Sequence, residues 1–199
     1  MAYRSTDRVK ARLSAARDRI VTAAMEIMAQ AGYAGCSVAA VAERAGLATG
    51  SVYRHFPTKA DLFAEVFRIA SQREVDAVSR AAAVEASTAD RITAVIETFA
   101  GRALKSPRLA YALLAEPVDA SVDAERLVFR RAYATVIAGH VADGVASGEL
   151  PAQDPELAAT ALVGALAEAM VGPLAAGVAG PGTIPGLITF AHRALGVST

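Results

Sequence analysis

Residues 37–63 read SVAAVAERAGLATGSVYRHFPTKADLF, and this stretch decides the fold. Apolar residues recur at helical spacing on both sides of Gly46, which predicts two short helices at 38–45 and 49–55. Glycine tolerates the left-handed backbone that a tight turn needs, so Gly46 predicts the turn. The small residue Ala42 stands where the second helix would cross the first. Two steeply crossing helices joined in this way form a helix-turn-helix.

The segments on either side of the pair extend it to a three-helix unit. A helix is predicted from about 14 to 31 and is ended by Gly32. After the pair, Thr58 with Asp61 three residues later is typical of a capping box, here with Asp in place of Glu, and it opens a long helix. Residues 1–13 are polar and basic without an apolar pattern, which predicts a flexible arm.

The rest of the chain also has the pattern of helices, because no segment alternates with period two between turn signals. The fold class predicted is therefore all-α. Beyond the first three helices, the predicted helices cover about 59–83, 89–105, 107–116, 122–147, 155–172 and 184–195.

Composition narrows the class of protein further. Of the 199 residues, 54% are hydrophobic and 20% are charged, which excludes a disordered chain. The single cysteine, Cys36, excludes an internal disulfide framework and has no neighbouring base or resolving cysteine. No Cys/His cluster suggests a metal, and no cofactor motif is present. The longest apolar run, 157–178, contains Glu168 and Pro173, and the N-terminus lacks a signal-peptide core. We expect a soluble cytoplasmic protein without a membrane partner.

The net charge of zero hides an asymmetry along the chain. Residues 1–60 carry nine Lys and Arg against four acidic residues, a net charge of +5, and residues 61–199 carry −5. A basic end joined to an acidic remainder indicates that one part meets a polyanion and the other does not.

The segment from Arg19 to Phe63 resembles the TetR family of bacterial one-component transcriptional regulators. The most distinctive part is Tyr-x-His-Phe-x-x-Lys-x-x-Leu, which starts at Tyr53. The run Ala-Gly-Leu at 45–47 also matches the family pattern. So does the run Gly-Ser-Val-Tyr-Arg-His-Phe-Pro-Thr-Lys at 50–59, which overlaps this motif. Ala48 departs from the pattern, because the family usually places Ser or Thr there. That departure removes the expected N-cap of the second short helix, and Thr49 is expected to replace it.

The resemblance and side-chain chemistry together imply a DNA-binding surface. Arg54 and Thr49 are the candidates for base edges, since the arginine fork matches guanine O6 and N7. Lys59 lies in a first helical turn, where backbone N–H groups also face an anion, and would form a phosphate clamp. Tyr53 and His55 would donate to flanking phosphates, and Arg44 would face the opposite strand. The full set of DNA-contact candidates is Ser37, Arg44, Thr49, Gly50, Ser51, Tyr53, Arg54, His55, Thr58 and Lys59.

Two readings remain open for the basic residues of the arm. They would follow the minor groove or would simply be solvated. These residues are Arg4, Arg8, Lys10 and Arg12.

Beyond the DNA-binding domain, assigned to 14–60, residues 61–199 are expected to bind a ligand and to form a dimer. The helix at 155–172 is apolar nearly all round and must be buried on most faces. The resemblance implies that the last two helices of each subunit form a four-helix interface of a homodimer. Two-fold symmetry then sets the two heads one DNA turn, about 34 Å, apart on a palindromic operator.

Helices between about 89 and 147 are expected to enclose the ligand cavity. Its apolar pattern predicts a hydrophobic or amphipathic effector of open identity. For Glu168, the alternative to a ligand contact is an ion pair with Arg193 or with an arginine of the other subunit. The polar candidates within the apolar pattern are Arg102, Tyr111, Glu116, Arg130, Tyr133, His140 and Glu168.

These observations predict a ligand-responsive repressor of transcription that acts on double-stranded operator DNA. A transcriptional activator, a sequence-independent DNA-binding protein of the same fold and a protein–protein adaptor are the alternatives. An enzyme is not expected, because the sequence has no His-x-x-x-His, no Gly-x-Ser-x-Gly and no phosphate loop. The glycine-rich segment 177–182 follows no strand and is interpreted as a connector.

Overall fold

The computed structural model describes the backbone of residues 2–197 and the side chains of residues 8–197. Over this part of the chain the protein is all-α, with nine helices and no strand, which confirms the fold class predicted from the sequence. The helices are α1 (Ala2–Ala31), α2 (Val38–Ala45), α3 (Thr49–His55), α4 (Lys59–Ala82), α5 (Thr88–Lys105), α6 (Pro107–Leu114), α7 (Ala120–Ser147), α8 (Pro155–Ala176) and α9 (Thr183–Leu195).

The helix-turn-helix forms as its sequence predicts. The Ser37 hydroxyl accepts from the backbone N–H of Ala40 and caps α2. Gly46 ends the helix with φ +64°, a left-handed conformation that glycine adopts without steric cost. Val41 and Val52 are fully buried, and they fix the angle between α2 and α3.

Helix α3 begins without a side-chain cap. Ala48 occupies the N-cap position with an extended backbone, and its methyl group cannot accept a hydrogen bond. Thr49 is already the first helical residue, so the expectation that it would replace the missing cap is wrong. The start of α3 therefore depends on its backbone and on the burial of Val52.

Helix α1 is longer than the sequence pattern indicates. A flexible arm was predicted for 1–13, and the structure continues α1 through 2–13. The reason is intrinsic propensity: neither glycine nor proline interrupts the stretch, and Ala, Arg and Leu favour helix even in solvent. Arg8, Lys10 and Arg12 are exposed on this extension, and the side chain of Arg4 lies outside the described residues.

Helix α4 joins the two halves of the molecule. Thr58 and Asp61 form the predicted capping box at its start. Its first half buries residues such as Phe63 and Phe67 in the core of the helix-turn-helix unit. Its second half, including Val78, packs into the core formed by α5, α7, α8 and α9.

An ion pair fastens α4 to α1 near the helix-turn-helix. The Glu65 carboxylate accepts from Arg17 of α1 and from Arg68, each at 2.8 Å. Those hydrogen bonds, that of Arg68 above all, lower the pKa of Glu65 from 4.5 to about 2. Glu65 is therefore ionised throughout the physiological pH range, and the two helices stay linked.

Two helix boundaries differ from the sequence prediction because the side chains near them make other contacts. Helix α6 ends at Leu114 instead of about 116, and α7 begins at Ala120 with Asp119 at its N-cap. Ser121, which directly precedes the helix predicted at 122–147, lies inside α7. The Asp119 carboxylate makes no capping bond, because it accepts from the Tyr33 hydroxyl of the helix-turn-helix unit.

Helix α8 also exceeds its prediction. It passes Pro173 and ends before Gly177, which has φ +67°. Within the described residues, α8 is the helix that is long and apolar enough to cross a membrane by length and composition. One face, including Leu162, Leu166 and Met170, packs into the core, as in many core helices of soluble proteins.

Cys36 lies buried at the end of the turn that follows α1. Its thiol donates to the Gly32 carbonyl at 3.0 Å, and burial raises the pKa of the thiol to about 11. The thiolate, which is the reactive form, is therefore scarce at neutral pH.

We expect Ala48→Ser to stabilise the protein, because its hydroxyl can accept from the otherwise unpaired Gly50 N–H in the first turn of α3. The gain should be about 0.5–1 kcal/mol, or a rise of roughly 1–4 °C in the thermal midpoint. Ser37→Ala removes an existing cap and should lower the midpoint by a similar amount. Differential scanning calorimetry of both variants checks this. An unchanged midpoint for Ala48→Ser beside a lowered one for Ser37→Ala would contradict it.

Candidate functional site

Helix α3 presents a polar surface to solvent. Val52 anchors the helix from beneath, while Thr49, Gly50 and Arg54 are exposed, and Tyr53 is 47% exposed. The Arg54 guanidinium donates to the Ser51 hydroxyl at 3.0 Å, which orients it along the helix.

The residues that flank α3 are held by contacts within the protein. The Ser37 and Thr58 hydroxyls serve as helix caps, and Thr58 also donates to Asp61 at 2.8 Å. Arg44 lies against α1, where it contacts Glu26 at 3.3 Å and Gln30 at 3.2 Å. An anion that binds Arg44 would have to compete with these partners.

Lys59, the first residue of α4, rests on aromatic rings. Its ammonium lies 4.8 Å from the centroid of the Tyr33 ring and 5.7 Å from that of Phe63. A cation over an aromatic ring is attracted by the partly negative face of the ring, so the ammonium of this first residue of α4 is held over Tyr33 and Phe63. This arrangement can bind an anion such as phosphate.

Tyr33 connects this lysine to the C-terminal half of the chain. Its hydroxyl donates to Asp119, and its backbone N–H donates to the Glu116 carboxylate at 2.7 Å. Glu116 also accepts from the N–H of Ala34 at 2.9 Å. Burial, with the Asp119 contact, raises the pKa of Tyr33 above its ordinary value.

The backbone conformation at Gly32 makes room for this junction. Its φ of +70° turns the chain out of α1, and a Cβ atom there would lie 3.0 Å from a Glu116 carboxylate oxygen. On the other side, Arg126 of α7 donates to the carbonyls of Ala112, Leu113 and Glu116 and holds the end of α6. Glu116 thus binds the two halves of the protein together.

An apolar cavity lies between α5, α6, α7 and α8. Its inner compartment is narrow, with a volume of about 20 Å³, and its lining is apolar except for Tyr133 at one side and Arg130 at its edge. The residues that line it are Val95, Phe99, Leu114, Phe129, Arg130, Tyr133, Ile137, Val163, Leu166 and Ala167.

A larger outer compartment adjoins the inner one and opens to solvent. It has a volume of about 330 Å³ between α4, α5 and α6, and its charged lining is Arg73, Glu74, Arg102 and Lys105. Arg102 of α5 donates to both carboxylate oxygens of Glu74 of α4, at 2.6 and 2.7 Å. This two-point hydrogen bond raises the pKa of Arg102 and links α4 to α5.

The two compartments meet at four shared residues, Phe99, Leu114, Phe129 and Tyr133. The Tyr133 ring packs edge-on against Phe129 and Phe99, with centroid distances of 4.8 and 5.7 Å. Its hydroxyl is buried and has no hydrogen-bond partner among the described residues. Burial raises the pKa of Tyr133, so the hydroxyl remains a donor at any physiological pH.

Comparison with known proteins matches both halves of the chain to one family. The profile described as "Bacterial regulatory proteins, tetR family" matches residues 20–66. The profile described as "Tetracyclin repressor-like, C-terminal domain" matches residues 85–170. The chain belongs to the TetR family. It is therefore a DNA-binding regulator of transcription with a helix-turn-helix, as the resemblance implies.

Individual relatives point the same way. The fatty acid metabolism regulator protein of Bacillus subtilis is 23% identical over 134 residues, covering 66% of this chain and 69% of that protein. The HTH-type transcriptional repressor KstR of Mycolicibacterium smegmatis is 38% identical over 72 residues, or 36% of this chain and 35% of that protein. The crystal structure of FadR from Bacillus subtilis in complex with stearoyl-CoA shares the TetR fold, with a TM-score of 0.73 at 21% identity over 90% of this chain and 97% of that one.

Three of the seven polar residues predicted for the ligand cavity of this TetR-family protein lie at it. Tyr133 lines both compartments, Arg102 lines the outer one, and Arg130 lines the inner one.

The other four residues lie elsewhere, each for a physical reason. Glu116 faces the helix-turn-helix unit, and Tyr111 packs against the C-terminal core without lining either compartment. His140 of α7 faces Arg91 of α5, and burial together with that arginine lowers the pKa of His140. Glu168 is exposed on the outer face of α8, and within the described residues it forms no ion pair with Arg193.

The sequence pattern does not predict three charged residues at the cavity mouth, Arg73, Glu74 and Lys105. Arg73 and Glu74 lie in the second half of α4, whose polar residues look like an ordinary solvated face. Glu74 and Arg102 have opposite charges, but they lie far apart in the sequence, and only the packing of α4 against α5 brings them together.

We expect Glu116→Gln to loosen the junction, because an amide cannot accept from both backbone N–H groups as well as a carboxylate can. The free energy of unfolding should fall by about 1–3 kcal/mol. Urea denaturation followed by circular dichroism measures this fall. Glu85→Gln, a change of the same type at an exposed loop position, should leave stability within about 0.5 kcal/mol. Equal stability of the two variants would show that the junction contributes nothing.

Proposed function

We propose that this TetR-family regulator is a homodimeric, cytoplasmic repressor without enzymatic activity. It binds a palindromic operator through α2 and α3 and is released by a small apolar or amphipathic effector in the cavity. The observation that carries the proposal is the course of α4. This helix begins with Lys59 beside α3, and its far half, with Ala70 and Glu74, forms a wall of the cavity.

The exposed residues of α3 support binding in the major groove. A helix of seven residues with a short polar surface can approach base edges closely, and Arg54 reaches guanine once it exchanges its hydrogen bond with Ser51 for one to the base. Lys59 and the first turn of α4 would bind a phosphate beside the groove. Tyr53 and His55, at the solvent side of α3, would add further phosphate contacts.

The cavity and the relatives together support an acyl compound as the effector. The inner compartment is lined by apolar side chains and would admit a hydrocarbon chain once those side chains move apart, and the larger outer one carries charged side chains that suit a head group. Two of the similar proteins bear on this: one is a fatty acid metabolism regulator, and the FadR structure holds stearoyl-CoA. Release follows if the effector binds more tightly to the conformation in which α4 has moved the heads apart.

The outer faces of α8 and α9 support the homodimer. Most exposed residues of α8 are small, which lets a second helix approach closely, and Phe190 of α9 is 48% exposed beside them. Such an apolar exposed face on a helix of this length would be covered by a second copy. The exposed α8 positions are Glu156, Leu157, Thr160, Ala161, Gly164, Glu168, Ala169, Gly172, Ala175 and Ala176.

The DNA-binding surface is tested with DNA that the protein itself selects from a random-sequence library. In fluorescence anisotropy, Arg54→Ala should remove the preference for selected over scrambled DNA, a loss of about tenfold or more. Lys59→Ala should weaken binding to both DNAs alike and reduce the salt dependence. Arg80→Ala, an exposed change at the far end of α4, is the control.

The outcomes of this experiment separate the alternatives. Equal affinity of the unmodified protein for both DNAs would favour a sequence-independent binder and contradict the proposal. Selective binding that raises transcription in a reporter assay would indicate an activator. If the protein does not bind DNA even at low salt, the protein–protein adaptor is the alternative that remains.

The dimer face is tested with Ala161→Arg. A long charged side chain in a close helix–helix contact cannot be accommodated, so sedimentation should show monomers where the unmodified protein forms dimers. Operator affinity should fall with it, because two linked heads bind far more tightly than one. Ala39→Arg, at an exposed position of α2, should leave the sedimentation coefficient unchanged. A dimeric Ala161→Arg variant would show that this face is not the interface.

A further inference from the structure

The neck between the two compartments combines a hydrogen-bond donor without a partner and an arginine that already holds a carboxylate. Tyr133 is 6% exposed, and its hydroxyl has no partner among the described residues. A buried hydroxyl without a partner is costly, so it marks a place where a ligand atom can accept a hydrogen bond. Arg102 binds Glu74 through Nε and Nη2 in the two-point geometry that an arginine fork offers to any carboxylate.

The charge at the mouth is also unbalanced. Arg73, Arg102 and Lys105 carry three positive charges against the one negative charge of Glu74. Beyond the neck the inner compartment offers apolar side chains of α5, α7 and α8, including Val95, Ile137 and Leu166. An anionic group with a hydrocarbon chain attached meets both requirements at once: the anion binds at the neck, and the chain packs among these apolar side chains as they move apart to admit it.

We propose that the effector carries its anionic head group to Arg102 and the Tyr133 hydroxyl, where it displaces the Glu74 carboxylate. This inference rests on the proposed function and adds the chemical class of the effector, an amphipathic acid, and the contact that it breaks. The Glu74–Arg102 pair ties α4 to α5 in the ligand-free protein. Its replacement frees the far half of α4 from α5, and α4 begins at Lys59 beside the DNA-binding helix.

The Glu74–Arg102 pair links α4 to α5 and is exposed enough to be exchanged for another carboxylate. The Arg102 side chain is 45% exposed and that of Glu74 is 23% exposed. A half-exposed ion pair is worth little net free energy, because solvent screens it, so an incoming carboxylate can replace Glu74 at small cost. A neutral head group cannot replace it, since it would leave both charges without partners.

The test compares acids with alcohols of equal chain length. Octanoate and dodecanoate are titrated against octan-1-ol and dodecan-1-ol, by calorimetry for binding and by anisotropy for release of selected DNA. We expect the acids to bind about tenfold more tightly than the matched alcohols and to release DNA at correspondingly lower concentration. Dodecanoyl-CoA, added as a third arm, tells whether a thioester with a phosphate-bearing head or a free carboxylate is preferred.

Variants at the neck test whether its residues produce the preference for acids over alcohols. Arg102→Gln should weaken dodecanoate about tenfold and leave dodecan-1-ol unchanged, which removes the preference. Tyr133→Phe should weaken dodecanoate severalfold, and Tyr111→Phe, which changes a tyrosine outside the cavity, is its matched control. Glu74→Gln should strengthen dodecanoate binding and lower the concentration that releases DNA, because the competing carboxylate is gone. A variant that only loosened the fold would weaken acid and alcohol alike.

Failure of this inference differs from failure of the proposed function. Acids and alcohols that bind and release DNA equally well, with Arg102→Gln changing neither, would overturn the head-group inference and leave the repressor and its cavity intact. No binding by any member of either series would overturn the inference and the acyl effector together, while selective operator binding would still stand. Weaker dodecanoate binding in Glu74→Gln would contradict the displacement step.

Discussion

Burial of α4 in two hydrophobic cores at once is the constraint on which the rest of the structure depends. Phe63 and Phe67 fix its first half within the helix-turn-helix unit, and Val78 fixes its second half among the helices that enclose the cavity. Close-packed cores transmit displacement because they are hard to compress. A movement of the far half of α4 therefore cannot be absorbed locally and has to appear at Lys59.

The Glu116 junction limits what that movement can be. Tyr33 and Ala34 are held by one carboxylate, and Tyr33 in turn lies under the Lys59 ammonium. The end of α6 and the start of α4 are thus joined through a single aromatic ring. Because α6 forms part of the cavity wall through Leu113 and Leu114 and also packs into the core of the helix-turn-helix unit, the cavity is connected to the DNA-binding unit through α6 as well as through α4.

Local signals make the helix-turn-helix predictable from the sequence. The other helix bounds and the cavity residues depend on tertiary contacts, which the sequence pattern does not show. Gly46, Ser37 and the capping box at Thr58 act through neighbours within four residues, so the bounds of α2 and α3 follow from the pattern. The end of α6 and the start of α7 do not, because Glu116 and Asp119 are used by Tyr33, more than 80 residues earlier. For the cavity, periodicity identifies a polar residue on an apolar helix face but does not tell which neighbour that face meets. Tyr133 and Glu168 satisfy the same pattern, yet one lies at the cavity neck and the other on the outer face of α8.

The burial of Cys36 has a practical consequence for observing these motions. The chain has one cysteine, and its thiol is enclosed, hydrogen-bonded to Gly32 and protonated at neutral pH. Thiol-reactive dyes and spin labels would therefore attach to an added surface cysteine far faster than to the native one. The native cysteine therefore does not interfere with distance measurements between labels on the two heads of the proposed dimer, with and without DNA.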